Sequence, residues 1–154
     1  MVQMLSANRV PTNQAPINDP ATGLVSREWF RFFANLNTIV STVYTPTLTN
    51  TTNITASSVS ECQYLRVYST ATVSGQVTIA ATATGAVVLK MSLPVASNFA
   101  STSQAAGTFA TLTVGGTTTG AILADIVNDV FEFRFNAANT TSTVYAFTVT
   151  YQVV

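Results

Sequence analysis

Apolar and polar residues alternate along most of the chain after residue 44. The clearest alternation lies in four runs, at 71–79, 86–93, 129–135 and 143–154. Weaker runs lie at 54–59, 62–69, 107–114 and 120–126. A period of two places successive side chains on opposite faces of a β-strand. Turn signals separate the runs, at 83–85, 115–116, 127–129 and 138–140. This spacing predicts an antiparallel β-sandwich or jelly roll over residues 44–154.

A helical period marks residues 26–43. The apolar residues form one stripe with a second flank beside it: Trp29, Phe33, Leu36 and Val40, then Phe32, Ile39 and Val43. Ser26 is a suitable N-cap, and Glu28 complements the positive end of the helix dipole. Arg27 and Arg31 fall mostly on the opposite side. The pattern predicts one amphipathic helix over 26–43, and residues 1–25 before it, with three prolines, predict an extended arm with a turn at 18–23.

The helix has two possible roles. Its apolar stripe packs on the chain's own β-domain, or it docks into a partner or a second copy. Two apolar flanks favour docking, because a helix lying on a single sheet needs only one. The predicted partner or oligomer interface therefore contains the apolar side chains and the two arginines of this segment: Arg27, Trp29, Phe30, Arg31, Phe33, Leu36, Ile39 and Val40.

Charge is scarce. Charged residues are 8% of the 154 residues, and six basic side chains balance six acidic ones. An ordinary soluble domain has about 25% charged residues. The zero net charge without a basic patch argues against nucleic acid or a membrane surface as partner. Because Thr and Ser replace the missing charges, the composition suggests a surface covered by copies of the chain or by partners.

The sequence also predicts where the protein is made. The first residues lack the basic and apolar regions of a signal peptide, and no apolar run reaches the ~18 residues of a membrane helix. We therefore expect synthesis in the cytoplasm. Cys62 is the single cysteine, so an intrachain disulfide is excluded, and we expect it to be a small buried side chain.

The sequence contains few residues that could carry out catalysis. The chain has no histidine, which removes Ser-His-Asp and Cys-His machinery and most catalytic zinc sites. Asp129 and Glu132 are predicted on opposite sides of a strand, whereas Glu132 and Arg134 share a face and form an ordinary pair. Asp125 and Asp129 bracket a turn, but only Asn128 adds an oxygen between them, so a calcium site is disfavoured. We expect no enzymatic activity, no cofactor and no metal.

A sugar-binding face is the remaining alternative from the residues themselves. Five tyrosines and many threonine hydroxyls are present, but strand aromatics are more often core residues. The tyrosines are Tyr44, Tyr64, Tyr68, Tyr145 and Tyr151.

Several stretches together resemble a small β-domain of tailed-bacteriophage and prophage structural proteins. They are YTPTLTN (44–50), CQYLRVYSTATVSGQVTI (62–79), SLPVASNF (92–99), AAGT (105–108), ADIVND (124–129) and YAFTVTYQV (145–153). The segment PINDPATGLVSREWFRFFANL (16–36) is similar to the N-terminal part of many short phage virion proteins. The resemblance implies a non-enzymatic virion protein made in a bacterial host.

Two locations on the particle follow from this resemblance. A capsid decoration or cement protein would bind the major capsid protein or another virion protein through its arm and helix, and would project its β-domain as a homotrimer. A tail-fibre or receptor-binding component would instead bind a host surface carbohydrate. Decoration is favoured because only residues 42–44 separate the predicted helix from the sandwich, whereas fibres generally carry a long shaft.

Overall fold

The computed structural model describes residues 16–36, 39–112 and 118–154, with helix side chains described as far as Phe33. The chain divides into two compact units, Met1–Ile39 and Val40–Val154, which are treated separately below. The first unit contains the α-helix α1 (Arg27–Leu36). The strands are β1 (Ile39–Tyr44), β2 (Leu48–Thr52), β3 (Ile54–Val59), β4 (Cys62–Val67), β5 (Thr70–Ala81), β6 (Gly85–Ser92), β7 (Ala105–Thr111), β8 (Thr119–Asp125), β9 (Val130–Ala137) and β10 (Thr143–Gln152).

The strands form one curled antiparallel sheet, as the sequence predicted. Their order is β1-β4-β5-β10-β7-β8-β9-β6-β2, and β3 pairs with β5 beyond the end of β4. The sheet curls until β2 packs against β3, where the Ser57 hydroxyl donates to Asn50 Oδ1 at 2.5 Å. The fold is therefore a β-sandwich made from a single sheet that is folded over on its inner face.

The core lies between the two halves of this sheet and is rich in aromatic rings. The predicted alternation is confirmed on β9, where Phe131, Phe133 and Phe135 are buried. Phe133 meets Phe147 of β10 edge to face at 5.3 Å, and Phe131 meets Tyr151 at 5.2 Å. Edge-to-face pairs of this kind contribute about 0.5–1.5 kcal/mol beyond the area they bury. Alternation of side chains on the strands thus supplies most of the core.

The predicted helix over 26–43 is wrong in its second half. Helix α1 ends at Leu36, and residues 39–44 form β1, which pairs with β4. Thr38-Ile39-Val40 and Thr42-Val43 are all β-branched, and such side chains lose χ1 freedom in a helix but fit a strand well. The apolar residues at 36, 39, 40 and 43 have the spacing of a helical stripe, although 39–44 is a strand. Ile39 and Val40 therefore do not share a helix with Trp29.

The predicted extended arm also needs correction in the part that is described. Residues 16–25 form a closed turn, with an antiparallel bridge between Asn18 and Val25. Asp19 accepts hydrogen bonds from the backbone amides of Ala21 and Gly23, both at 2.8 Å. Gly23 has φ of 69°, a left-handed conformation that glycine adopts without strain. The turn predicted at 18–23 is confirmed, and residues 1–15 of the arm lie outside the described residues.

Candidate partner-binding surfaces

The turn at 16–26 is tied to the start of α1 by backbone and side-chain hydrogen bonds. The Ser26 amide donates to the Ile17 carbonyl and its hydroxyl to the Pro16 carbonyl, both at 2.8 Å. Ser26 directly precedes the helix, as predicted, and its own carbonyl accepts the Phe30 amide at 2.9 Å. Glu28 lies in the first turn of the helix, where a negative charge is favourable. These contacts fix the polypeptide that leads into the aromatic part of the helix.

Three rings on α1 form one cluster. Trp29 and Phe33 are one turn apart, with ring centroids separated by 5.6 Å, and Phe32 lies 5.8 Å from Trp29 and 5.6 Å from Phe33. Trp29 and Phe32 are partly buried, whereas Phe33 is 49% exposed. Phe30, outside the cluster, is 65% exposed. Two of the helix's large apolar side chains, Phe30 and Phe33, are thus exposed, and docking through the helix stays a prediction.

The rest of the predicted interface is divided between the helix and β1. Arg27 and Arg31 are exposed on α1, and the side chain of Leu36 lies outside the described residues. Ile39 and Val40 belong to β1 and are 49% and 39% exposed. The structure therefore keeps Arg27, Trp29, Phe30, Arg31 and Phe33 together on the helix, and assigns Ile39 and Val40 to an edge strand.

A second apolar surface was not predicted. Val43 of β1 and Leu65 and Val67 of β4 are 46%, 45% and 37% exposed. We call these three residues the outer apolar patch. The sequence contains a signal for it, because in CQYLRV both alternating sets of positions include apolar side chains. A strand that is apolar on both faces indicates either double burial or a contact surface.

The aspartates at the β8–β9 turn serve the protein's own structure. The Asp125 carboxylate lies 2.6 Å from Lys90 Nζ and accepts the amides of Val127 at 3.0 Å and Asn128 at 3.4 Å, together with Asn128 Nδ2 at 2.8 Å. Lys90 is the main cause that lowers the pKa of Asp125 to about 2, against the effect of burial. Asp125 is thus an ionised, fully hydrogen-bonded side chain.

Asp129 faces a different set of partners. Its two carboxylate oxygens accept the backbone amides of Ser97 at 3.0 Å and Phe99 at 3.1 Å. Burial alone would raise the pKa of Asp129, but the amides of Asn98, Ser97 and Phe99 together lower it. The two aspartates therefore do not converge on one point. Glu132 forms the predicted same-face pair with Arg134, at 2.7 Å.

The tyrosines do not form one exposed face. Tyr145 and Tyr151 are buried, and the Tyr151 hydroxyl donates to the Val95 carbonyl at 2.9 Å. Tyr44 and Tyr64 are half-buried and meet edge to face at 5.8 Å, while Tyr68 is 43% exposed. Most of the tyrosines are thus core or near-core residues, as strand aromatics usually are.

Cys62 is a core side chain, as predicted. It is fully buried, and burial raises the pKa of its thiol to about 11, although a hydrogen bond from the Gln76 backbone opposes this. A Cβ on Gly75 would lie only 2.4 Å from Cys62 Sγ, so the sulfur fills the space beside that glycine. The thiol is therefore a packed, protonated group.

Comparison with known proteins finds no matching family model, curated protein or solved structure. None of the helices in the described ranges is long and apolar enough to cross a membrane. Within those same ranges, no three His, Cys, Asp or Glu side chains gather as ligands for a metal ion.

Proposed function

We propose that this chain is a non-enzymatic structural protein of a bacteriophage virion, with a capsid decoration or cement protein as the leading candidate. In this proposal α1 and the segment before it attach to the major capsid protein or another shell protein. The sandwich is the part that is displayed. The observation that carries the proposal is the exposed aromatic surface of α1, on a segment that resembles the N-terminal part of phage virion proteins.

The energetics of α1 suit attachment to a partner. Fully burying an aromatic side chain contributes about 1.5–3 kcal/mol. Phe30 and Phe33, at 65% and 49% exposure, have much of this gain still available. Association costs several kcal/mol in lost freedom of motion, so one helix gives a weak contact. Repetition of that contact by an oligomer multiplies the effective affinity, which is how weak contacts hold a protein on a shell.

The surface chemistry of the sandwich is consistent with a structural role. Threonines line its outer face in rows, and the hydroxyls of Thr72 and Thr150 on neighbouring strands lie 3.0 Å apart. The pKa values of Asp125 and Asp129 are both lowered, because Asp125 is held by Lys90 and Asn128 and Asp129 by backbone amides. These side chains support a stable β-domain. The proposed mechanism is therefore mechanical attachment.

Receptor binding by a tail component is the second candidate. It would place a carbohydrate on the sandwich, and its best support is Tyr68, which is 43% exposed and precedes Ser69 and Thr70 in the chain. Decoration remains the leading proposal because Tyr145 and Tyr151 are buried and Tyr44 and Tyr64 are largely occupied by each other.

The attachment is tested by changing the rings of α1. Trp29→Ala with Phe33→Ala removes two of the three clustered rings and leaves the sandwich intact. We expect the double variant to have wild-type far-UV circular dichroism in the β region and to be absent from purified particles. Incorporation would be measured by quantitative mass spectrometry of particles made in cells that supply the variant in place of the wild-type protein.

Val127→Ala is the matched control, because Val127 is an apolar side chain of the sandwich that is 86% exposed. We expect this control to be incorporated at the wild-type level. Normal incorporation of the double variant would refute attachment through α1.

A further inference from the structure

The free end of the curled sheet is β1. The other end, β2, packs against β3, where the Ser57 hydroxyl donates to Asn50 Oδ1. Between these two strands, the Asn53 side chain forms two 2.8 Å hydrogen bonds with the backbone of Ala83. In the described part of the chain, β1 is bordered by β4 on one side and by no strand on the other. An edge strand presents a row of amide and carbonyl groups that can pair with another strand.

Strand β1 lacks two of the features that commonly block such pairing, a charged side chain and a proline. Its sequence, IVSTVY, contains no charged residue and no proline. Natural edge strands are commonly protected by lysine, proline, bulges or short length. The side chains beside this edge are apolar on both faces, because Val40 and Val43 are 39% and 46% exposed and differ by an odd number of positions. Among the described strands, this edge is therefore unpaired in its backbone, and its side chains are partly exposed.

The outer apolar patch continues this edge across two strands. Tyr44 faces the core, since its ring meets Tyr64 edge to face, so Val43 points to the outer face. Tyr64 is paired with the buried Val73, which likewise directs Leu65 and Val67 outwards. Val43, Leu65 and Val67 thus lie on the same face of adjacent strands.

Charge favours an identical surface as the partner. In a two-fold interface the same patch meets itself, so any charge on it would approach an equal charge. Strands β1, β4 and β5 contain one charged residue, Arg66. Arg66 alternates with Leu65 and Val67, so it lies on the other face, where its Nε donates to the Tyr68 carbonyl at 2.8 Å. Beside the patch, Thr70 and Thr72 provide the polar, uncharged rim that is typical of protein interfaces.

We propose that a second copy of this chain pairs with β1 through its own β1, antiparallel and about a two-fold axis, so that the sheet continues into the second copy and the outer apolar patches of the two copies lie on the same face of the continuous sheet. The β1 pairing deepens the proposed function. It rests on that function in one respect only, the expectation that the chain forms an oligomer. The two-fold contact differs from the trimer implied by the resemblance. A trimer would need a head-to-tail contact, for which β1 would have to meet a different edge.

The pairing geometry identifies the residue to change. Opposed residues of an antiparallel pair lie on the same face of the sheet. Ser41 is two positions from Val43 and shares its face. If the pairing is centred on β1, Ser41 therefore opposes either Ser41 or Val43 of the second copy. The two Ser41 residues are then direct partners about 4.5–5.5 Å apart or diagonal neighbours about 7–8 Å apart. Ser41 is itself exposed, so its replacement does not disturb the core.

The experiment is sedimentation of the full chain at micromolar concentration. We expect a wild-type dimer, and we expect Ser41→Lys to weaken it about 100-fold, since two like charges placed together cost several kcal/mol. Ser58→Lys, at an exposed position of β3, is the matched control and should sediment as the wild type does. An equimolar mixture of Ser41→Lys and Ser41→Glu should recover the dimer, which a loss of folding could not produce.

Three results would overturn the pairing: a wild-type monomer at micromolar concentration, a trimer, or a dimer that Ser41→Lys leaves unchanged. Each of them leaves attachment through α1 standing, because the Trp29 and Phe33 variant tests that separately. Conversely, a β1 dimer with normal particle incorporation of the Trp29 and Phe33 variant would refute only the proposed attachment.

Discussion

Replacing Asp129 by Asn should open the loop that closes one end of the core. The Asp129 carboxylate holds the amides of Ser97 and Phe99, and these residues anchor the loop, because Ser97 is fully buried and the Phe99 ring meets Tyr151 at 6.0 Å. Asp129 has φ of 53°, a left-handed conformation that Asn adopts at least as readily as Asp. The change therefore leaves the backbone unstrained and removes only the charge and one acceptor oxygen.

The size of the effect follows from those two bonds. A hydrogen bond to a charged group contributes about 1.5–3 kcal/mol. The Asn side chain keeps one acceptor oxygen for one of the two backbone amides. Its NH2 group faces the other amide, so that hydrogen bond is lost. We expect the free energy of unfolding to fall by about 2–3 kcal/mol. With a urea dependence of about 1–3 kcal/mol per molar, the midpoint should fall by about 0.7–3 M. Far-UV circular dichroism is the suitable signal, because the single Trp lies in the N-terminal unit.

The same variant makes a prediction about pH. The pKa of Asp129 is lowered below its ordinary value of 3.8 in the folded protein. Its contribution to stability is therefore present above pH 3.8 and is lost as the pH falls through the folded pKa. The stability difference between the wild type and Asp129→Asn should be largest near neutral pH and should narrow below pH 3.8.

The control is Asp19→Asn, in the exposed turn before α1, where the carboxylate accepts the Ala21 amide at 2.8 Å. We expect its urea midpoint for the sandwich to equal that of the wild type. An Asp129→Asn midpoint equal to the wild type, or a stability difference that does not depend on pH, would show that Asp129 does not anchor the loop.

Three further predictions follow from single side chains. Thr111→Val should raise stability by about 1 kcal/mol in urea unfolding, because the buried Thr111 hydroxyl has no hydrogen-bond partner among the described residues, and a lower stability would contradict this. Gly120→Ala should lower stability by about 1–3 kcal/mol or more, since its Cβ would lie 2.3 Å from Phe109 Cζ; an unchanged midpoint would contradict that packing. Lys90→Met should cost about 3 kcal/mol at neutral pH, because it leaves the buried Asp125 carboxylate without its cation, and most of this difference should be lost as the pH falls from 3.8 to 2; a constant difference would exclude the ion pair as its cause.

The sequence predicted the strands whose two faces differ in polarity. On β9 and β10, one set of alternating positions is mostly aromatic, and the other contains Glu132, Arg134 and threonines. Only one face of each strand is therefore suited to burial. The strands β3 to β10 all lie within a few residues of the predicted runs. The strong alternation is a direct consequence of burial on one side, which is why it can be read without a structure.

The sequence did not predict strands at the margins of the sheet. In β2, LTNTT contains one apolar residue, and its pairing with β6 depends on backbone bonds and on the bulge between Asn50 and Thr52. In β1, the residues Ile39, Val40 and Val43 continue the helical spacing of α1 and do not alternate as the residues of a half-buried strand do. The short length of this segment and its β-branched residues favour a strand. The helical spacing of its apolar residues favours a helix, and the prediction followed that spacing.

The candidate surfaces were predictable to different degrees. The ring cluster of α1 follows from Trp29 and Phe33 at a spacing of four. The outer apolar patch depends on β1 lying beside β4, and that neighbourhood is a property of the topology. The amides that hold Asp129 come from the loop around Ser97, about 30 residues away in sequence. Contacts of this kind have no local pattern to reveal them.

The number of copies per particle tests the proposed function most directly. Virions purified from the host that encodes this chain would be digested, and the chain would be quantified by mass spectrometry against the major capsid protein. We expect hundreds of copies per particle, as for a protein that covers a shell. A handful of copies would indicate the tail component instead, and the absence of the chain from purified virions would contradict a virion role.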